Sequence, residues 1–374
     1  MNQANNPFFI PFSKPYLSIE ETQLVQEALS SSWISDGPFR ERLENEFAAL
    51  HHVPVAVSVC SGTAALEIVL RNLKLAADNE VIVPGFTFPA PYNLVLALGA
   101  KPVYADIDEQ TWCMDTDIVE SLISPRTRAI IAVHVYGNMC NMQALRKIAD
   151  RHHLVLIEDC AQAVFSSYQG SYAGTLGDFG CFSFQATKTI TTGEGGLVIS
   201  SKTDVAKQLR LLRNHGMSPE KRYWHDVIGF NYRMTNLQAA LGCAQLTKIS
   251  DIIARKKKIL DWYTQRLSNV EGLILQKIDE KVDPVIWSMG VKIDPQVFKA
   301  SRDQVIQTML EQGIETRCGF YAPSEMPLYH APSLPVSETV GRQVIALPAF
   351  TELTEAEVDR ICELLLRLRG CDGR

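Results

Sequence analysis

Cys181-Phe-Ser-Phe-Gln-Ala-Thr-Lys188-Thr-Ile-Thr-Thr-Gly193-Glu-Gly-Gly196 holds an apolar, aromatic, strand-like run that ends in one lysine. A glycine cluster then leads into a second apolar run, Leu197-Val-Ile-Ser200. A strand end is a rigid platform, and the glycines let backbone approach whatever the lysine holds. Enclosure would lower the Lys188 pKa by desolvation and make it a Schiff-base nucleophile. Most lysines are simply solvated, so the reading of this one depends on its surroundings.

Upstream of that stretch, short apolar runs alternate with helical patterns. Residues 55–58, 81–83, 102–105, 129–134 and 154–157 read as strands; residues 64–73, 91–98 and 141–152 read as helices. Short continuous apolar runs between helices imply a mostly parallel sheet covered on both faces, an α/β domain. Ligands in such sheets sit beyond the carboxyl ends of the strands. Two further helices, 19–30 and 39–51, flank the turn Trp33-Ile-Ser-Asp-Gly-Pro38. Downstream, residues 234–267 carry a long helical pattern interrupted near Ser250-Asp251. A strand at 287–293 and helices at 302–312 and 355–369 follow. The 374 residues exceed one ordinary core, so two domains are expected: a large α/β domain over 1–249 and a smaller α+β domain over 250–374.

Composition narrows the function classes. With 46% hydrophobic and 21% charged residues the chain reads as soluble and globular. A net charge of −6 argues against nucleic acid as a partner, because phosphate binding needs a basic surface. The one basic run, Arg255-Lys-Lys-Lys258, falls in a helical pattern and reads as a solvated face. Nine scattered cysteines form no C-x-x-C pair, so neither a zinc site nor a disulfide framework is expected. Residues 1–7 lack the basic start and apolar core of a signal peptide, and no apolar run approaches membrane-spanning length. A cytoplasmic protein is the expectation.

Four features fall where strands end. Ser61-Gly-Thr63 opens a helix, either as a plain cap or as an anion site favoured by the helix dipole. Glu158-Asp159 follows the strand 154–157, where an acid could pair with a protonated ring nitrogen or cap the next helix. Phe86-Thr-Phe88 could stack on a flat cofactor or pack in the core. Ser183 could reach a phosphate or bond nearby backbone. Each is weak alone. Together they supply a phosphate cradle, an aromatic platform, an acid and an amine, the four groups that pyridoxal phosphate needs.

Four motifs occur in order: Ser61-Gly-Thr-Ala-Ala-Leu66, Glu158-Asp-Cys-Ala-Gln162, Phe182-Ser-Phe-x-x-x-Lys188 with Gly193-Glu-Gly-Gly196, and Asn231-Tyr-Arg-Met-Thr-Asn236. From about residue 10 to near the C-terminus the chain resembles the DegT/DnrJ/EryC1/StrS sugar-nucleotide aminotransferases, which have the fold-type I architecture of pyridoxal-phosphate (PLP) enzymes. The resemblance implies that Lys188 binds the cofactor covalently and shuttles the proton. It implies that Asp159 pairs with the pyridinium nitrogen, Gln162 bonds the ring hydroxyl, Phe88 covers the ring, and Gly62, Thr63 and Ser183 hold the phosphate. Asn231 would reach the phosphate from a neighbouring subunit, making a homodimer with shared active sites.

Within the family, the run 222–236, Ile314-Glu-Thr-Arg317 and Met326-Pro327 with Tyr329 are similar to the perosamine-forming branch. That branch aminates C4 of a GDP-linked 4-keto-6-deoxyhexose with L-glutamate in cell-surface polysaccharide and O-antigen sugar biosynthesis. Gln162, Gln185-Ala-Thr187 and Ser324-Glu325 depart from its pattern, and the last two departures are expected to line the sugar pocket. Trp33, Ser35, His215 and Arg317 are candidate substrate contacts, and no metal is implied. The alternatives are amination at C3 or C4 of a UDP- or dTDP-linked ketosugar, a related sugar dehydratase, or a non-catalytic sugar-nucleotide-binding regulator. Lys188 argues against the dehydratase, whose branch carries histidine there, and the set Lys188, Asp159 and Gln162 argues against the regulator.

Overall fold

Seven strands between Val55 and Ser200 form one sheet, in the order Val55–Val59, Gly196–Ser200, Phe179–Ser183, Val155–Asp159, Thr127–Val133, Glu80–Pro84, Lys101–Ala105. Six point the same way; Gly196–Ser200 runs against both its neighbours. A computed structural model describes residues 8–369, so the N-terminal stretch read for a signal peptide and Cys371 lie outside the described residues.

The sheet is buried on both faces because side chains alternate along each strand. Val55, Val57, Val81, Val83, Ile131 and Ile157 point into one apolar cluster. Ala56, Ile82, Ile130, Ala132 and Leu156 point into the other. Helices Gly62–Asn72 and Asn236–Thr247 cover opposite faces, and local chemistry sets where they begin. Ser61 Oγ accepts the Ala64 N–H at 3.1 Å, and Thr235 with Gln238 forms a capping box. The expected mostly parallel α/β architecture is the observed one.

A second, antiparallel sheet follows, in the order Leu273–Leu275, Met289–Ile293, Val344–Leu347, Arg317–Cys318, backed by helices Arg302–Glu311 and Glu355–Arg367 over a third apolar cluster. Helix Ile249–Leu267 joins the two halves. Its Ile249 and Ile252 pack beneath the large sheet, while Ile259, Tyr263 and Leu267 pack in the third cluster. The chain also crosses back: Ile10 sits in the third cluster, and Tyr329, Leu334 and Val340 sit against the large sheet.

Two local expectations are corrected. The helical break expected near Ser250-Asp251 falls at Lys248, between Asn236–Thr247 and Ile249–Leu267. The strand expected to end at Lys188 ends at Ser183, so the lysine rides on a loop. Among the described residues no helix is long and apolar enough to cross a membrane.

Candidate active site

The loop after Ser183 is tied to itself. Thr187 N–H and Oγ1–H both donate to Gln185 Oε1, at 2.9 and 2.7 Å, and Lys188 N–H donates to the Gln185 carbonyl at 2.8 Å. Phe184 N–H donates to Gly195 O and Thr192 N–H to Phe184 O, both at 2.9 Å. Gly193 makes the return with φ of +79°, a conformation glycine adopts without strain. The result holds Lys188 over the carboxyl edge of the large sheet without needing the strand to reach it.

Asp159 ends the neighbouring parallel strand, with Cys181 as its register partner. Its side chain is buried, and the only hydrogen bond its carboxylate takes from the described residues is Ala161 N–H, at 3.0 Å on Oδ1. Burial pushes its pKa up, against the pull of that N–H, of Lys188 and of His134. Lys188 is displaced the other way. Desolvation lowers its pKa to about 8, opposed by Asp159 and assisted by Arg317.

Both groups line one cavity of about 980 Å³, together with Ser61, Gly62, Thr63, Phe88, Gln162, Ser183 and Arg317. Gln162 Oε1 accepts the Tyr136 N–H at 3.1 Å, which leaves its amide N–H groups available to the cavity. At Gly62 a Cβ would stand 2.7 Å from the Ser183 Cβ, so helix and strand meet there at glycine distance. The first N–H groups of helix Gly62–Asn72 have no partners within the helix, and they form the positive end of its dipole, which attracts an anion. Of the two phenylalanines, Phe86 is fully buried against Tyr136 and Phe320, while Phe88 stays 60% exposed at the cavity. These features fit pyridoxal phosphate: a carboxylate short of partners suits its ring nitrogen, and a glycine-lined helix start suits its phosphate.

Other expected contacts lie outside this cavity. Asn231 is exposed and pairs backbone with Asn214. His215 is exposed, and its carbonyl accepts from His225 Nδ1 at 2.9 Å. Trp33 is 64% exposed, and Ser35 lines a separate cleft with Arg40, Arg210, Arg213 and Arg233. Of the branch departures, Gln185 and Thr187 line the cavity, whereas Ser324 bonds Glu338 and Glu325 pairs with Arg342. Neither Ser324 nor Glu325 is among the residues lining this cavity, which their neighbour Met326 reaches. Sequence reasoning also missed the walls built by Phe12, Tyr136, Trp287 and Phe320, which converge from distant segments.

The sheet also gathers His134, Glu158 and Cys160 into one buried group, their ligand atoms within 4.8 Å of one another. Protein hydrogen bonds already occupy it. Glu158 accepts from the N–H groups of Gly174, Leu176 and Gly177 and lies 2.9 Å from His134 Nε2, while His134 Nδ1 accepts the Cys140 N–H.

An amine and a carboxylate facing one cavity at the carboxyl edge of such a sheet are the pair of groups that a PLP-dependent enzyme needs. The chain belongs to the DegT/DnrJ/EryC1/StrS aminotransferase family, whose model matches residues 15–366. It is 38% identical over 359 residues to the GDP-perosamine synthase of Escherichia coli O157:H7, covering 95% of this chain and 97% of that one. It is 36% identical over 369 residues to the GDP-perosamine synthase of Vibrio cholerae, covering 97% and 100%. Among solved structures it is similar to Spr1654 from Streptococcus pneumoniae, assigned as a sugar aminotransferase and solved in PLP and PMP forms. That likeness has a TM-score of 0.91 and 28% identity over 96% of this chain and 98% of that one.

Proposed function

We propose that this enzyme moves the amino group of L-glutamate to C4 of a GDP-linked 4-keto-6-deoxyhexose, a step in making a cell-surface sugar. Supporting the nucleotide and the position is the likeness to proteins named GDP-perosamine synthase, perosamine being a 4-amino-6-deoxyhexose. The observation that carries the chemistry is the pairing of Lys188 and Asp159 in one cavity, each displaced by burial from its ordinary pKa.

Bound PLP supplies an electron sink for the carbanion left when a proton leaves an amine's α-carbon. The chain's residues do the rest. Lys188 Nζ would hold the cofactor, and once released would take the α-proton as base and return a proton as acid, so one group would serve both half-reactions. Asp159 would accept the ring N–H and keep that nitrogen protonated. Gln162 would donate to the ring hydroxyl, Phe88 would cover the ring, and Gly62, Thr63 and Ser183 would hold the phosphate. Arg317, its guanidinium 4.3 Å over the Phe12 ring, offers a carboxylate or phosphate contact.

The active unit is a homodimer. Trp33, Ile34, Tyr223, Trp224 and Ile228 are between 45% and 84% exposed, and bonds from Asn236 to the Trp33 and Ile34 carbonyls tie the 33–37 turn beside the loop that carries Asn231. Exposed aromatic and apolar side chains of this kind mark an interaction surface. A second copy covers it and brings Asn231 to the first copy's phosphate. The small domain begins within helix Ile249–Leu267, whose two ends pack in different cores. Among the described residues eight unpaired thiols, all but two of them buried, suit the cytoplasm.

Incubation of GDP-, UDP- and dTDP-linked 3- and 4-ketosugars with L-glutamate, read by mass spectrometry, tests the substrate. The GDP-linked 4-ketosugar should react at least about tenfold faster than the others, a margin of ~1.4 kcal/mol. Equal or greater turnover of a UDP or dTDP sugar refutes the assignment. Mixing Lys188→Ala with Asn231→Ala chains should restore activity in hybrid dimers; no regain refutes the shared site.

A further inference from the structure

We propose that Trp287 is a positioning residue for Lys188, seating its protonated amine on the indole face and fixing the backbone beneath it. The inference rests on reading Lys188 as the reacting amine.

Lys188 Nζ lies 4.2 Å from the centroid of the Trp287 ring. The same indole donates its Nε1–H to the carbonyl of Thr187 at 2.7 Å. One side chain therefore holds two consecutive residues, one by its ring face and one by its edge. The indole is itself held in place. Its backbone N–H donates to Tyr136 O at 3.2 Å, its ring stacks on Tyr136 at 6.2 Å and 12°, and Phe12 meets it edge-on at 5.7 Å. All three aromatic residues line the lysine's cavity. A geometry built from three distant segments and aimed at one amine is more than wall packing.

The electrostatic consequence has a definite sign. The indole face is negative and attracts an ammonium but not a neutral amine, most strongly where water is excluded. Trp287 thus raises the Lys188 pKa, against burial. The other charged groups facing the amine are Asp159, which raises it, and Arg317 across the cavity, which lowers it. Glu194 and Asp303 are the remaining carboxylates on the cavity wall. Without the ring the amine would lose its proton too readily to act as an acid in the second half of a transamination. It would also lose the seat it occupies whenever it is not bonded to cofactor.

Two substitutions separate the two attachments. Trp287→Gln keeps an N–H donor for Thr187 and removes the ring; Trp287→Phe keeps a ring face and removes the donor. The readout is the pH dependence of Lys188 acetylation in the full-length chain freed of cofactor with hydroxylamine, followed by peptide mass spectrometry. Trp287→Gln should lower the half-titration pH by about one unit, and Trp287→Phe by less than about half a unit. Trp287→Phe should instead speed acetylation at saturating pH, because the backbone beneath the amine is loosened. Equal half-titration pH in wild type and Trp287→Gln overturns the proposal, as does an upward shift. If Trp287→Gln does not fold, wild-type protein carrying lysine labelled with carbon-13 at the ε-carbon decides the matter. A ring-current upfield shift of the Lys188 ε-protons in wild type, reduced but not abolished in Trp287→Phe, supports the seat; its absence in wild type overturns it. Neither readout uses turnover, so Lys188→Ala retaining activity would refute the amine's role while leaving this test standing.

Discussion

Replacing Asp159 with asparagine should weaken the enzyme and strengthen the empty fold. Asparagine keeps the shape and still accepts the Ala161 N–H through its side-chain oxygen. What it removes is a charge that burial already opposes. A charge-assisted bond to a buried cation is worth on the order of 2–4 kcal/mol. Loss of that bond at the ring nitrogen therefore predicts a roughly 30- to 1000-fold fall in the rate of the glutamate half-reaction. Single-turnover spectroscopy on the cofactor-loaded variant measures it directly. In the cofactor-free chain the sign reverses. An acid whose folded pKa lies above its unfolded one costs stability at pH 7, and the cost fades as pH falls through that raised value. Asp159→Asn should raise the thermal midpoint of the cofactor-free chain at pH 7, by an increment that shrinks toward pH 4. A half-reaction within a few-fold of wild type refutes the role of Asp159. A lower midpoint at pH 7 would refute the account of why its carboxylate is poised for a cation.

The Lys188 pKa near 8 predicts that the same half-reaction rises with pH and levels off above about 8, because the amine must be neutral to take a proton. Compared with an ordinary lysine at 10.5, the neutral fraction at pH 7 is larger by roughly 300-fold. A plateau reached only above pH 10 would contradict the desolvation reading, and Lys188→Ala should cost at least about 10⁴-fold in turnover. Away from the site, Glu44 Oε1 accepts from Ser58 N–H, from Ser58 Oγ and from buried Arg213. Glu44→Ala strands that guanidinium without its acid and should cost about 3–5 kcal/mol in urea unfolding; a loss under 1 kcal/mol would show that the pair is not a stability determinant.

The large sheet was legible because most of its strands are short, continuous apolar runs between helical patterns, and helices such as Gly62–Asn72 and Asn236–Thr247 carry local start signals. Residues 19–30 were read as they are found, since the capping box of Ser18 and Glu21 and the turn after Ser30 are local. The second sheet was harder. Val344–Leu347 follows directly on helix Pro335–Gln343, and Leu273–Leu275 is three residues long, so neither offers a period to read. The strand was overrun at Lys188 because Phe184 and Ile190 continue the apolar look of the run, although they fold back into the core from a loop. The motif residues of the site could be found from sequence; its walls could not. Phe12, Trp287 and Phe320 come from segments with no motif of their own, brought to the lysine only by the return of the second sheet.

The pair Glu158-Asp159 shows what the fold adds to a motif. Both are acids at the end of one strand, and either could be proposed for a ring nitrogen. Successive side chains on a strand point to opposite faces, so only one can face the lysine, and the other must be satisfied within the core. Glu158 takes three backbone N–H groups and stands against His134, all within buried protein. Those bonds clamp residues 174–177 under the sheet. Asp159 takes one N–H and lines the cavity. A buried carboxylate with four partners is finished; a buried carboxylate with one is waiting for a cation. Glu158→Gln should therefore destabilise the chain by about 1–3 kcal/mol, since an amide nitrogen cannot accept the N–H groups that now meet one of its oxygens. At saturating cofactor its glutamate half-reaction should stay within about tenfold of wild type. A variant that folds as well as wild type but loses turnover as Asp159→Asn does would reverse the two assignments.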